Sequence, residues 1–348
     1  MRTEVRREGG KVWLEGISGF SPADCASSVH GAQARMLRAL GDPLSYEDLV
    51  CYGGFAFRVC VHERMCPSAA HPACGFDCIG SGLRAIPWRG KVFEIPPAGR
   101  GMDDRESFEA EAYSAVRDSI DRGVPVQYTA EEDGLIIGYA DEGRRWWCLH
   151  PYHEWGEKAF WHDEADGFSG GKWPWMIGIW TDPVPEKERV PARDLTLAAL
   201  QQAVEMWKAG KRDEYYLGDA AYGHWLAWLE GVDSGAVEDP SAGMRGNGWC
   251  FDVLTSSRRI AGEWLGRKAA GIGGDAGRYL GSAAECYRRI SEICSESLRC
   301  SWDLAPGPER AGEWDSELRR QQMSRLESSR RLDGGAIDAI AAALRVLR

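Results

Sequence analysis

Three residues carry the chemistry this sequence offers: Cys25, Asp133 and His150. A cysteine in the first turn of a helix has its thiol pKa lowered by the unpaired N–H groups and the dipole of that end, which makes it a nucleophile. An imidazole suits the task of taking the thiol proton near neutral pH, and a carboxylate can orient the imidazole. Asp133 stands immediately before GLIIGYA (134–140), and His150 ends WWCLH (146–150). A hairpin closing at Asp141-Glu142-Gly143 pairs residue 134 with 150, so Asp133 and His150 are expected to meet at one end of the sheet. The plain alternatives are a small core cysteine, a solvated turn carboxylate beside Glu131 and Glu132, and a strand-end polar residue. His153 and His30 are spare bases. His30 ranks last, because five residues along the same helix it points away from Cys25.

A second group of soft ligands, His62, Cys66, His71, Cys74 and Cys78, crowds HERMCPSAAHPACGFDCIGSG (62–82). Their spacing contains no Cys-x2-Cys knuckle, so a loop covering a cleft is the preferred reading, and neither a metal nor a cofactor is expected. A zinc-held structural protein stays as an alternative. Arg58, inside FAFRVCV (55–61), is either a buried ionic anchor or an outward polar position. GIGGDAG (271–277) has the composition of a phosphate cradle but lacks the lysine and the preceding strand, so it reads as a helix–helix loop.

The elements that must position these groups follow from periodicity and punctuation. Ser21, Pro22 and Asp24 spell a helix start, and Cys25, Val29, Ala32, Met36 and Leu40 recur at helical spacing before Gly41. Ser45 with Asp48 caps a short helix over 45–52. Strands are expected at one place in 11–20 and at 55–61, 92–95, 124–129, 134–140, 146–150 and 175–180. Asp103–Asp121 reads as an amphipathic helix. TDPVPEKERVP (181–191) is a Pro- and charge-rich connector, which gives a first domain of residues 1–190 and a helical second domain of 191–348. In the second, helices are expected at Asp194–Ala209, Asp219–Glu230, Asp252–Lys268, Asp275–Leu298 and Glu317–Leu347, the last broken near Gly334-Gly335. Residues 231–248 read as a loop.

The totals narrow the class. With 348 residues, 44% hydrophobic and 27% charged, the balance is that of a globular protein. A net charge of -11 argues against a nucleic-acid partner or an anionic membrane surface. No apolar run has the length of a membrane span, and no signal peptide is read at the N-terminus, so the cytoplasm is expected and the eleven cysteines should be mostly thiols. Sixteen tryptophans are unusual, and Trp146, Trp147, Trp155, Trp161, Trp173 and Trp175 are placed to wall a ligand pocket. A homo-oligomer is compatible with all of this.

SSVHGAQARMLRALGDPLSYEDLVCYGG and GVPVQYTAEEDGLIIGYADEG resemble, respectively, the nucleophile helix and the catalytic sheet of papain-like proteins. More narrowly they are similar to the C39-like peptidases and to the N-terminal domain of the butirosin biosynthesis protein H family. AGRYLGSAAECYRRISEIC resembles the helical region that follows that domain. The resemblance implies an α+β fold of the papain-like (cysteine-proteinase-like) type: an antiparallel sheet with an N-terminal nucleophile helix, then a mainly α-helical region. It also implies a cysteine-dependent acyltransferase or amidohydrolase acting on a small molecule or an acyl-carrier substrate, with Cys25 as nucleophile. Its order of triad residues is Cys, His, Asp or Asn. Here Asp133 stands where the histidine is expected and His150 near the place of the Asp or Asn, so the pair is either swapped or no longer catalytic. The expected oxyanion-donating Gln is absent from Ile17–Phe20, which offers Ser18 and backbone N–H groups. The alternative function is an inactive papain-like domain that binds a small molecule or a protein through its Trp-rich cleft.

Overall fold

A computed structural model describes residues 3–21, 26–94, 102–130, 132–163, 174 and 176–348. Strands β1 (Glu4–Glu8) and β2 (Lys11–Glu15) precede helices α1 (Ser28–Ala39) and α2 (Tyr46–Tyr52). Strand β3 (Cys60–His62), helix α3 (Cys78–Leu83), strand β4 (Trp88–Glu94) and helix α4 (Met102–Asp121) follow. Next come strands β5 (Val126–Thr129), β6 (Asp133–Ala140), β7 (Arg145–Leu149), β8 (Phe160–Trp161) and β9 (Met176–Pro183). Beyond them lie α5 (Ala192–Lys208), β10 (Gly210–Arg212), β11 (Tyr215–Leu217), α6 (Asp219–Ser234), α7 (Ser241–Ile272), α8 (Gly274–Ser295) and α9 (Ser316–Leu347). The chain is a mixed α+β protein, sheet-rich first and largely helical afterwards.

Packing divides it into two compact units, Met1–Leu49 with Ile86–Arg189 and Val50–Ala85 with Val190–Arg348. The sequence reading keeps residues 50–85 in the first domain; the structure gives them to the second unit. The reason is pairing: β3 joins β11 in a three-stranded sheet of order β10-β11-β3, and the Gly218 N–H donates to the Val59 carbonyl.

In the first unit an antiparallel sheet is built on β6. Ile136 pairs with Val126 of β5 on one side and Cys148 of β7 on the other, and Gly138 pairs with Trp13 of β2 and Trp147 of β7. Every residue of β6 is buried, because both faces of the strand are covered. One face carries Val12, Leu14, Val126, Tyr128, Ile136, Trp146 and Cys148 against Ala112, Val116 and Ile120 of α4. Alternation puts Gln127, Thr129, Asp133, Leu135 and Leu149 on the opposite face, the one α1 packs on.

Several expectations change. The helix that follows Cys25 begins at Ser28 with Ser27 as its N-cap, so Ser21 is not the cap and the first turn belongs to Ser28 and its successors. Cys25 itself, with Pro22 and Asp24, lies outside the described residues. FAFRVCV is not one strand: Phe55–Phe57 is a 3-10 turn and the strand is Cys60–His62, because the chain turns at Gly54 and Arg58 is buried. Residues 241–251 are helical, not loop. Their glycines let α7 lie close to its neighbours: a Cβ on Gly246 would overlap the Met65 carbonyl oxygen, and one on Gly248 would come 2.7 Å from the Ala305 carbonyl oxygen. Helix α9 runs unbroken through Gly334-Gly335.

Candidate functional site

The start of α1 and the start of β6 are tied together. Ser28 Oγ accepts the backbone N–H of Asp133 at 3.0 Å and donates to Glu132 Oε2, while Tyr152 Oη donates to Glu132 Oε1 at 2.8 Å. One residue back, the Ser27 N–H donates to Tyr46 Oη at 3.2 Å, and Ser27 Oγ lies 2.6 Å from His30 Nδ1. His30, ranked last as a base, is thus held by the cap of its own helix.

Asp133 is fully buried. Gln127 and Thr129 share its face of the sheet, and Thr129 pairs directly with it. Thr129 Oγ1 (2.6 Å) and Gln127 Nε2 (2.7 Å) both donate to Oδ1, whereas Oδ2 is buried and has no hydrogen-bond partner among the described residues. Burial pushes the carboxyl pKa up to about 7, against the two donors and with a further push from Glu132. A carboxyl poised there exchanges its proton near neutral pH and is suited to acid–base work.

His150 is also buried, but on the other face. Its ring stacks on Tyr128, centroids 6.0 Å apart at 22°, across the place of Gly134, where a Cβ would come 2.5 Å from the Leu149 carbonyl oxygen. The backbone N–H of Tyr152 donates to Nδ1 at 3.2 Å, so the neutral ring carries its proton on Nε2, and Nε2 is buried with no partner among the described residues. Burial, then His153, lowers its pKa to about 4, which keeps the ring neutral at pH 7.

The hairpin register therefore brings Asp133 and His150 to the same end of the sheet, as read from the sequence, but the pleat sends them to opposite faces. They do not form an acid–base pair. His153, the other spare base, packs its ring 4.4 Å from that of Phe160. The groups that bond Asp133, namely Ser28, Gln127 and Thr129, are not singled out by the sequence, which offers Glu132 only as a turn neighbour. The alternation of Gln127 and Thr129 around buried Tyr128 is the signal that points to them.

The tryptophans divide similarly. Trp146 is core, its Nε1 donating to the Gly143 carbonyl, whereas Trp147 and Trp161 are half-buried neighbours, 4.9 Å apart, with Arg145 over Trp161. Trp173, Trp175 and the side chain of Trp155 lie outside the described residues.

In the second unit, the ligands weighed for zinc are otherwise engaged. His62 Nδ1 accepts the Arg64 N–H and His71 Nδ1 the Ala73 N–H, Cys66 Sγ accepts from Ser68 Oγ, and Cys78 is fully buried with its pKa pushed up to about 12. Among the described residues no three His, Cys, Asp or Glu side chains are grouped to hold a metal. Nor is any helix among them long and apolar enough to cross a membrane. No protein-family model and no curated protein matches this chain.

Proposed function

We propose that the first unit is a papain-like domain performing cysteine-dependent acyl transfer or amide hydrolysis, with Cys25 as nucleophile and Asp133 in place of an imidazole. The observation that carries this reading is the buried Asp133 carboxyl beside Ser28, with Oδ2 uncommitted and a pKa of about 7. Ser28 follows Cys25 by three residues in the chain. In this chemistry the Cys25 sulfur attacks the carbonyl carbon of a thioester or amide while its proton passes to Asp133 Oδ2. The protonated carboxyl then returns that proton to the leaving thiolate or amine, and an acyl-cysteine remains for an amine or water to attack. A carboxylate raises rather than lowers a neighbouring thiol pKa, so the mechanism is base-assisted attack by a thiol and suits activated thioesters better than amides. The substrate is a small molecule or an acyl-carrier conjugate, and no cofactor is required.

The test is the rate of Cys25 alkylation by iodoacetamide across pH 5–9, with acyl-enzyme mass measured after addition of an acyl thioester. Reaction rising through pH 7 and an acyl adduct on Cys25, both lost in D133N, are expected. Alkylation no faster than that of an average buried cysteine, with C25A behaving as wild type, would overturn the proposal.

A second reading, a papain-like domain that binds a small molecule or a protein without covalent chemistry, is favoured by the state of His150. Its ring lies on the Tyr128 face of the sheet, away from Asp133, and its lowered pKa makes it a weak base. Under this reading the thioester leaves no adduct.

A further inference from the structure

Between Arg58 and Cys78 the second unit gathers thiols around a buried guanidinium. Arg58 is 2% exposed and donates from Nη1 to the Cys74 carbonyl oxygen (2.5 Å) and from Nη2 to those of Ala69 (2.8 Å) and Ala70 (3.3 Å). Among the described residues no carboxylate pairs with it. The cation thus holds the 66–74 loop by its carbonyls and leaves its charge to act on the sulfurs nearby. Cys60 Sγ lies 3.8 Å from the same Cys74 carbonyl oxygen. It also presses on the next peptide: a Cβ on Gly75, whose φ is +71°, would stand 3.0 Å from that sulfur. Cys60 is buried and Cys74 half-buried. Burial raises the Cys60 pKa, and Arg58 opposes the rise. Cys66 accepts from Ser68 Oγ, which meets Tyr215 Oη at 3.1 Å, and the Cys74 thiol is bonded to the same tyrosine.

We propose that Cys74 and Cys60 are a thiol pair that low-molecular-weight disulfides oxidise to an intramolecular disulfide, with the half-buried Cys74 reacting first and the buried Cys60 resolving. The Cys74 thiolate attacks one sulfur of the small disulfide, forming a mixed disulfide and releasing one thiolate. Cys60, losing its proton, then attacks the Cys74 sulfur, closes the protein disulfide and releases the second thiolate. Two electrons pass from the protein to the small disulfide, and the protons of Cys74 and Cys60 end on the two released thiols. The contact of Cys60 with the Cys74–Gly75 peptide makes the second step intramolecular, and Arg58 offsets part of what burial costs the Cys60 thiolate.

The test treats the full chain with oxidised glutathione, blocks remaining thiols and maps the digest by mass spectrometry without reduction. Wild type should give a Cys60–Cys74 linked peptide two hydrogens lighter than the separate peptides. C60S should instead trap glutathione on Cys74. In C74S, Cys60 should stay reduced and become alkylatable only on unfolding. The exposed Cys300 serves as the internal control, taking glutathione in all three. Glutathione that persists on Cys74 in wild type, a link from Cys74 to Cys66, or no reaction at Cys74 where Cys300 has reacted, would each overturn the proposal. Wild type and C74S decide the matter even where C60S does not fold.

Discussion

Asp133 and His150 are both buried with no countercharge among the described residues, and each responds by staying neutral, with opposite consequences for stability. The Asp133 carboxyl keeps its proton up to about pH 7, whereas its ordinary value is 3.8. Between those limits the unfolded chain has released the proton and the folded one has not, so stability falls as pH rises through the window and levels above it. The shift corresponds to about 4 kcal/mol. His150 titrates at about 4 when folded and at 6.5 ordinarily. There the unfolded chain holds the extra proton, so stability is lost as pH falls from 6.5 towards 4, by about 3 kcal/mol. In wild type the two slopes offset each other across pH 4–6.5. D133N, which keeps an acceptor for Thr129 and Gln127, should be more stable than wild type above pH 7 and should uncover the acid-side loss due to His150. H150N should show the reverse, gaining stability on acidification. Protection of β6 amides from hydrogen exchange, corrected for the intrinsic pH dependence, measures both; equal slopes in the two variants would contradict the assignment.

Helix α1 and strand β6 meet through one hydroxyl. Ser28 Oγ is the partner of the buried Asp133 N–H, so S28A leaves that donor unpaired, at a cost of about 1–3 kcal/mol, and takes one donor from Glu132. The expected result is lower amide protection at the start of β6; unchanged protection there would mean the tie is incidental. How much of this was legible differs by element. The capping box of α2, in which Ser45 and Asp48 bond each other's backbone N–H, could be read directly because both partners are local. So could β5, β6 and β7, whose alternation and turn residues are strong. The start of α1 could not, because Ser21-Pro22-Asp24 is a plausible cap in isolation, and Ser27 competes only once Tyr46 and His30 are beside it. The same limit explains His150. Register follows from the hairpin, but pairing 134 with 150 puts His150 on the face of Gly134, and the pleat turns Asp133, one residue along, to the other.

For the molecule as a whole, what composition could not convey is that residues 50–85 belong with the C-terminal helices. Arg258 of α7, fully buried, explains it in energetic terms. Its guanidinium donates to the carbonyl oxygens of Ala56 (2.7 Å), Phe57 (3.2 Å) and Arg58 (3.3 Å), and meets Asp333 Oδ2 of α9 at 2.7 Å. Burial, the largest influence, disfavours the cation, but Asp333, Tyr222 and Tyr287 together outweigh it, so the Arg258 pKa is raised. Tyr222 Oη of α6 adds a bond of 2.9 Å to the same carboxylate oxygen. One side chain therefore satisfies a turn that would otherwise carry three unpaired carbonyls and balances a buried charge on a third element. Removing it as R258M leaves Asp333 uncompensated, which costs about 3–5 kcal/mol, and should lower protection in α7, α9 and the 55–58 turn together. The double variant R258M/D333L removes both charges and leaves only the carbonyls wanting, so it should recover part of that loss. A double variant as unstable as R258M, or less stable, would mean that the carbonyl contacts rather than the ion pair dominate, and that Arg258 serves chiefly to hold residues 50–85 in place.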